Sequence, residues 1–254
     1  MSTRHWMPIA EETLSPFDIQ RVNPVFTVVI DSSTFYAALG TIDAIMHTLM
    51  NLQLKTRKVA LMDVIFLNGP SSSGKSSIAR ALQNCLDDNY LHLGIDAFIA
   101  MMPAKANTLN ESDKPAEGFY WRTTTLNQQS VHRISFGPYG KAVNEAYRTT
   151  VRHLVDAGMK VIVDDVLDGA EEMAIWQSVL AGKHCLYVGV TCSAETLIQR
   201  EQQRGDRYPG SALEQASRVH CGIEYDLFIN TDECSPQTCA QRIQAFIASH
   251  PHPQ

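Results

Sequence analysis

The stretch Gly69-Pro70-Ser71-Ser72-Ser73-Gly74-Lys75-Ser76 has the spacing G-x-x-x-x-G-K-S and decides the fold class. The apolar run Val64–Leu67 leads into it, and a helix-compatible segment, residues 77–82, follows. A strand, a glycine-bounded loop and a helix form the context of a phosphate-binding loop, in which backbone N–H groups and the helix N-terminus face a polyphosphate. Lys75 is expected to reach the β- and γ-phosphates, and the Ser76 hydroxyl is expected to ligate Mg²⁺. The alternative, a chance match in a serine-rich surface turn, is disfavoured by the flanking strand and helix.

Length, composition and charge limit the class of protein that the chain can belong to. The chain has 254 residues, of which 44% are hydrophobic, and this suits one α/β domain with an extension. Its net charge of −6 argues against a nucleic-acid partner. The six cysteines show no C-x-x-C pair and no zinc-ligand spacing, which favours free thiols in a cytoplasmic protein. There is no signal-peptide pattern and no run of about 18 apolar residues, so no membrane span is expected.

Residues 1–60 are predicted to be an N-terminal strand–helix extension of a domain that covers residues 61–254. Within the extension, residues 1–24 have an irregular pattern, residues 25–30 are predicted to form a strand, and residues 35–53 are predicted to form a helix. The apolar stripe of this helix favours packing on the main domain or on a second copy of the chain, which would make a homo-oligomer. A membrane-surface helix is disfavoured because the polar face is almost uncharged.

From residue 62 onward, predicted strands alternate with predicted helices. This order predicts a five-stranded parallel sheet with helices on both faces. Residues 104–140 are polar and aromatic and too long for a simple connection, so they are predicted to be functional. The strands are predicted at 63–68, 90–95, 160–163, 184–190 and 225–230, and the helices at about 77–86, 141–157, 194–204, 211–220 and 236–249.

Acidic residues end two of these strands, at the sheet edge where parallel sheets bind ligands. Asp164 and Asp165 follow three apolar residues, the pattern of a Walker B strand whose carboxylate supports Mg²⁺. Asp164 is the preferred metal ligand, and Asp165 stays open as the alternative. Asp96 is a candidate base for an acceptor hydroxyl, although an aspartate that caps a helix fits the pattern equally well. Three histidines are interpreted as structural or surface residues: His92, His132 and His220.

Three arginines follow the strand at 184–190. Arg200 and Arg204 lie four residues apart on one helix face, and a glycine then allows Arg207 to turn the same way. Guanidinium groups keep their charge and match phosphate oxygens, so this group could stabilise a phosphoryl group in transfer. A solvated helix face with local acidic partners is the alternative. The predicted nucleotide-binding residues are Gly69, Pro70, Ser71, Ser72, Ser73, Gly74, Lys75, Ser76, Ser77 and Arg200, and the predicted catalytic residues are Asp96, Lys75, Arg204 and Arg207.

A series of short motifs occurs in order along residues 62–248. They are Ile65–Ser76, Gly94-Ile95-Asp96, Met102-Pro103, Gly137-Pro138, Val161–Val166, Val188–Cys192, Arg204-Gly205-Asp206-Arg207, Val219-His220, Gly222 and Tyr225-Asp226. This series closely resembles the chloramphenicol phosphotransferase family of P-loop kinases. The segment from Arg204 to Asp226 is far more specific to that family than the phosphate loop alone.

The resemblance implies a shikimate-kinase-like fold and ATP-dependent phosphorylation of a hydroxyl on a small molecule. In the namesake enzyme this is the primary hydroxyl of chloramphenicol, and the modification confers antibiotic resistance. The resemblance also implies that Asp96 is the base and that the arginine segment is a lid over ATP. Residues 1–60 have no counterpart in the family, Ala100 replaces a second acidic residue, and residues 104–136 differ, so acceptor specificity is expected in that last segment. The alternatives are a toxin-type kinase of a sugar nucleotide or another metabolite, and a non-catalytic NTP-binding regulator.

Overall fold

The chain divides into two compact units, residues 1–58 and residues 59–254, and each is considered by itself. The computed structural model describes residues 18–22, 25–29, 62–205 and 208–250.

The N-terminal unit contains a two-stranded antiparallel ribbon. Strand β1 (Asp18–Val22) pairs with strand β2 (Val25–Val29), with Val22 opposite Val25. Strand β2 confirms the strand predicted at 25–30. Strand β1 corrects the interpretation of its five residues as irregular, because pairing with a β-branched partner strand outweighs a weak local signal. The predicted helix at 35–53, and with it the predicted oligomer contact, lies outside the described residues.

The second unit alternates strands and helices as the sequence predicts. Its elements are β3 (Val64–Asn68), α1 (Lys75–Cys85), β4 (Tyr90–Gly94), α2 (Ile95–Met101), a 3₁₀ turn (Ala104–Ala106), β5 (Thr108–Ser112), β6 (Phe119–Leu126), β7 (Gln129–Phe136), α3 (Pro138–Asp156), β8 (Lys160–Asp165), α4 (Ala170–Val179), β9 (Cys185–Thr191), α5 (Ala194–Arg204), α6 (Ser211–Ala216), β10 (Leu227–Asn230) and α7 (Pro236–Ser249).

Five of these strands form one parallel sheet in the spatial order β4-β8-β3-β9-β10, which confirms the predicted fold class. Strand β3 lies at the centre and is buried along its whole length. Val64 pairs with Val161 on one side and with Cys185 on the other. Because the chain runs to one side of β3 first and then to the other, the carboxyl end of β3 is a topological switch point, where such sheets bind ligands.

Two hydrophobic cores cover the two faces of the parallel sheet. Successive side chains of β3 point to opposite faces, so Ile65 and Leu67 enter one core and Phe66 enters the other. The first core packs α1 and α7 on the sheet, with Ile243 fully buried. The second packs α3 and α4, and Trp176 meets the Phe66 ring edge-on at a centroid distance of 5.1 Å. None of the described helices has the length and apolar character needed to cross a bilayer.

The segment at residues 104–140, which the sequence predicts to be functional, contains a small sheet. Strands β5, β6 and β7 form it in that order, and β6 pairs with β7 antiparallel from Phe119–Phe136 to Leu126–Gln129. Asn127 and Gln128 connect the two strands with φ of 48° and 65°. Positive φ at both central residues is the geometry of a type I′ hairpin turn, which twists with the strands it joins. The three strands of this sheet were not predicted from the sequence.

Several further elements differ from the prediction, and three of them bear on the site. Strand β4 ends at Gly94, so Asp96 lies in the first turn of α2 and not at a strand end. Helix α4 was not predicted, because its apolar residues do not form one stripe. Helix α6 stops at Ala216, and hydrogen-bonded turns continue the chain as far as Gly222, where φ is 69°.

Candidate functional site

The phosphate loop adopts a backbone that leaves little room for side chains. A Cβ on Gly69 would lie 2.2 Å from the carbonyl oxygen of Val190, so only glycine fits beside β9. Gly74 has φ of 97° and forms the N-cap of α1, and Ser72 also has a positive φ of 65°. These left-handed residues turn the loop tightly into the helix N-terminus, as an anion cradle requires.

Side chains from distant elements hold this loop in place. The Gln215 side-chain oxygen accepts a hydrogen bond from the Ser71 N–H at 2.7 Å. The Thr231 hydroxyl donates to the Ser73 carbonyl at 2.8 Å and accepts from the Arg200 guanidinium at 2.9 Å. Helices α5 and α6 and the end of β10 therefore all brace the phosphate loop.

Lys75 is buried inside the loop, with 6% of its side chain exposed. Its ammonium donates to the Pro70 carbonyl at 2.9 Å and lies 3.7 Å from the Asp164 carboxylate. Burial lowers the pKa of Lys75, and the nearby carboxylates, Asp164 foremost, oppose that shift. The positive charge is thus fixed at the loop and offset on one side by an acid.

Asp164 and Asp165 have different surroundings. The Ser76 hydroxyl donates to Asp164 at 2.6 Å, and the His92 ring nitrogen lies 3.3 Å from the same oxygen. Burial would raise the pKa of Asp164, but the Lys75 ammonium and these hydrogen bonds hold it below its usual value. Asp165 instead accepts from the Val166 N–H at 2.8 Å, and burial, helped by Glu172, raises its pKa to about 7.

The donor set at Ser76 and Asp164 fits a magnesium ion. Magnesium prefers oxygen ligands, and neighbouring ligands in its octahedral shell lie about 2.9 Å apart. The two oxygens are 2.6 Å apart, so a small movement would suit the ion. In the described part of the chain no group of three or more His, Cys, Asp or Glu residues could hold a metal by itself. Magnesium shared with nucleotide phosphates needs few protein ligands, so the residues present fit the group.

One cavity of about 960 Å³ brings most of the predicted site residues together. Gly69, Pro70 and Ser73 form the base of the phosphate loop and do not border the cavity, and Arg207 lies outside the described residues. Asp96 borders the cavity from the first turn of α2. The predicted residues that line it are Ser71, Ser72, Gly74, Lys75, Ser76, Ser77, Asp96, Asp164, Arg200 and Arg204.

The small sheet provides an apolar wall of the same cavity. Phe119 and Trp121 of β6 are buried, and Phe136 of β7 is 44% exposed. The Phe119 and Phe136 rings meet edge-on at 5.9 Å. Ile134 also borders the cavity. The long segment between α2 and α3 thus shapes the space next to Asp96.

Ionic contacts tie this wall to the rest of the site. Arg133 of β7 pairs with Asp168, and its guanidinium lies 3.3 Å from Glu214. Arg218 joins the same two carboxylates, at 2.8 Å to Asp168 and 2.9 Å to Glu214. The four side chains link β7, α6 and the connection that follows β8.

Two further residues near the site were given no role in binding or catalysis from the sequence. Asn68 ends β3, donates to the Val219 carbonyl at 2.9 Å and accepts from the Leu167 N–H at 3.0 Å. Its place directly before the loop was the only signal available. His92 contacts Asp164 and borders the cavity, although it was interpreted as structural.

Comparison with known proteins agrees with this geometry. A family model described as chloramphenicol phosphotransferase-like protein matches residues 62–248. Two proteins from two strains of Mycobacterium tuberculosis, both named "Putative O-phosphotransferase", are each 32% identical over 200 residues, which is 75% of this chain and 84% of theirs. The unliganded sugar kinase from a Janibacter species has a TM-score of 0.50 at 16% identity, over 74% of this chain and 95% of that one, and shares the fold. Because the family match covers most of the chain, the protein belongs to the chloramphenicol phosphotransferase-like family.

Proposed function

We propose that the protein transfers the γ-phosphoryl group of ATP to a hydroxyl of a small molecule, chloramphenicol or a compound like it. One observation carries the proposal: the phosphate loop with Lys75 and the carboxylate of Asp96 border the same cavity of about 960 Å³. That volume is at the upper end of ligand pockets, roughly 300–1,000 Å³. Family membership and the P-loop kinase fold support phosphotransfer of the kinase type.

The residues around the loop would bind the nucleotide. In this proposal the backbone of residues 69–77 cradles the phosphates, and Arg200 adds charge from α5. Lys75, Arg204 and Arg207 neutralise the phosphoryl group as it moves. Ser76 and Asp164 would hold Mg²⁺, which when bound would supply positive charge to offset that of the phosphate groups.

Asp96 would act on the acceptor. Its carboxylate accepts a hydrogen bond from the acceptor hydroxyl, aims the oxygen at the γ-phosphorus and takes the proton. A new oxygen–phosphorus bond forms, the bond between the γ-phosphorus and the β-phosphate oxygen breaks, and ADP leaves. The enzyme contributes mostly position and charge, which is sufficient for a loose phosphoryl transition state.

The cavity wall bears on the choice of acceptor. Phe119, Trp121, Ile134 and Phe136 face the space with apolar surface. Aromatic side chains of this kind bind apolar or aromatic bodies by burial and ring contact. An alcohol with an aromatic body, such as chloramphenicol, suits this wall better than a compound that is polar on every side.

The proposed reaction is tested by measuring transfer of the labelled γ-phosphoryl group from ATP to an acceptor. The full chain would be incubated with γ-labelled ATP, Mg²⁺, chloramphenicol and a panel of alcohols that includes sugars and sugar nucleotides. We expect label in an aromatic alcohol. Label only in a sugar or sugar nucleotide would overturn the acceptor class, and label in none would overturn the transferase proposal.

Two variants test whether Asp96 is the base that acts on the acceptor hydroxyl. Asp96→Asn should lower turnover by roughly 10²–10⁴-fold, the usual contribution of a positioned base, with nucleotide binding kept. Asp87→Asn makes the same chemical change at an exposed position outside the cavity and should act like the unmodified protein. Full activity in Asp96→Asn would remove Asp96 as the base.

A further inference from the structure

Two cysteines lie in contact beside the phosphate loop. Cys234 is in the short connection between β10 and α7, and Cys239 is in the second turn of α7. Their sulfur atoms are 2.8 Å apart, closer than an ordinary thiol contact. Both residues border the cavity that contains Lys75 and Ser76.

The helix start explains why the two sulfurs meet. Ser235 is the N-cap of α7, because its hydroxyl accepts the Thr238 N–H at 3.2 Å, and Pro236 follows at the first helical position. Cys234 and Cys239 therefore occupy the positions before the cap and four after it, whose side chains pack together in a hydrophobic staple. Two thiols in a staple also meet the basic requirement of a disulfide, which is a pair of side chains held face to face.

The two thiols differ in access. Cys239 is fully buried in the core between α1 and α7, and burial, with Cys234 beside it, raises the pKa of its thiol. Cys234 is only half-buried and faces the cavity. A reagent that enters the cavity thus reaches Cys234 first, and Cys239 is placed to resolve the product.

We propose that Cys234 and Cys239 form a reversible disulfide that weakens nucleotide binding. The Cys234 thiolate attacks a low-molecular-weight disulfide, forms a mixed disulfide and releases one thiol. The Cys239 sulfur then attacks the Cys234 sulfur, closes the protein disulfide and releases the second thiol. In all, the two protein thiols lose two protons and two electrons, and the reagent takes up both as it becomes two thiols. The inference rests on the proposed function only in requiring that the site binds a nucleotide.

The link to the nucleotide passes through Thr231. To form the bond, the sulfur separation must shorten from 2.8 Å to about 2.05 Å. Cys239 is fixed in the core, so we expect Cys234 and the connection that carries it to take up the shift. Thr231 lies three residues earlier, and its hydroxyl holds both the Ser73 carbonyl and the Arg200 guanidinium. Displacing it loosens one side of the phosphate cradle.

The experiment uses the full chain, first reduced and then treated with oxidised glutathione. Peptide mapping would locate any disulfide, and calorimetry would give the Kd of Mg·ADP before and after treatment. We expect a Cys234–Cys239 bond and a Kd raised roughly three- to tenfold, up to about 1.4 kcal/mol of binding free energy, restored by a reducing agent. The absence of that bond, or an unchanged or lower Kd once it has formed, would overturn the proposal.

Two variants separate this pair from the other thiols, each compared with its own reduced form. Cys234→Ser should lose the response to oxidised glutathione, and Cys221→Ser, at an exposed cysteine, should keep it. A response that persists in Cys234→Ser would overturn the proposal, as would failure of the reduced protein to bind ADP. Because ADP binding needs no phosphoryl transfer, a protein that responds as expected but labels no acceptor would contradict only the proposed transferase function.

Discussion

At the scale of single residues, the two aspartates at the end of β8 have different surroundings. The sequence alone did not show which of them faces the phosphate loop. Neighbouring strand residues point to opposite faces, so at most one of them can face the phosphate loop. Asp164 meets Lys75 and Ser76, and Asp165 turns away and accepts a backbone N–H. Which residue faces the loop depends on how β8 pairs with β3, and that is not written in the local sequence.

This difference predicts unequal effects on metal use. Asp164→Asn removes the carboxylate next to Ser76, so the Mg²⁺ concentration that supports ADP binding should rise about tenfold or more. Asp165→Asn, its matched control, should change it by less than about threefold, because Asp165 contacts neither Ser76 nor Lys75 among the described hydrogen bonds and ion pairs. Magnesium titrations of ADP binding measure both values. A larger effect from Asp165→Asn would reverse the assignment.

His220 predicts a dependence of stability on pH. Burial lowers its pKa, and its ring nitrogen lies 2.9 Å from the Tyr225 hydroxyl. Since the unfolded chain then binds the proton more readily, His220 contributes stability above about pH 6.5, and this contribution is lost as the pH falls through the lowered folded pKa. Between pH 7 and 5 the free energy of unfolding should fall more steeply for the unmodified protein than for His220→Gln.

Denaturant titrations at several pH values measure that difference. Comparing the two proteins cancels other titrating groups, including Asp165, whose raised pKa acts in the opposite direction. Parallel curves for the two proteins would contradict the assignment to His220.

At the scale of elements, the sequence predicted the strands and helices that a regular local pattern of residues marks. The apolar runs of β3, β8 and β9 and the capped starts of α5 and α7 are local signals, and they led to the correct sheet. The hairpin of β6 and β7 was missed, because only the first residues of β6 are buried and the rest alternate weakly. Its Asn127-Gln128 turn also lacks the glycine that usually marks such a hairpin.

The residues of the site fall into two groups in the same way. Some belong to short motifs, and others reach the site only through contacts between distant parts of the sequence. The phosphate loop, Asp96 and Asp164 belong to motifs with fixed spacing, so they could be proposed from the chain alone. Gln215 and Thr231 could not, because their contacts with the loop span 144 and 158 residues of sequence. Such contacts depend on how α6 and β10 return to β3, which no short pattern records.

Gln215 predicts a measurable effect of α6 on the phosphate loop. Gln215→Met keeps the size of the side chain but removes the oxygen that accepts the Ser71 N–H. One such hydrogen bond contributes about 1 kcal/mol, so the Kd of Mg·ADP should rise roughly fivefold. Gln237→Met, at an exposed position on α7, is the matched control and should leave the Kd unchanged. Equal Kd values for both variants would show that the contact does not position the loop.

At the scale of the whole domain, the site lies at the junction of the two hydrophobic cores. Lys75 begins α1, which belongs to the core with α7. Asp164 is the second-last residue of β8, which also supports the core with α3 and α4. Strand β3 contributes to both cores and leads into the loop between them. A ligand held by the loop therefore contacts elements from both layers and should stabilise the domain as a unit.

This coupling predicts the response of thermal unfolding to a nucleotide. A ligand that binds only the folded state adds about 2.7 kcal/mol at one hundred times its Kd. For a domain of this size that corresponds to a rise in melting temperature of roughly 5–10 °C. Lys75→Met removes the buried ammonium of the loop, so Mg·ADP should raise its melting temperature far less, whatever its value without ligand. Lys105→Met, at an exposed lysine, should respond like the unmodified chain, and an equally large rise in Lys75→Met would remove Lys75 from nucleotide binding.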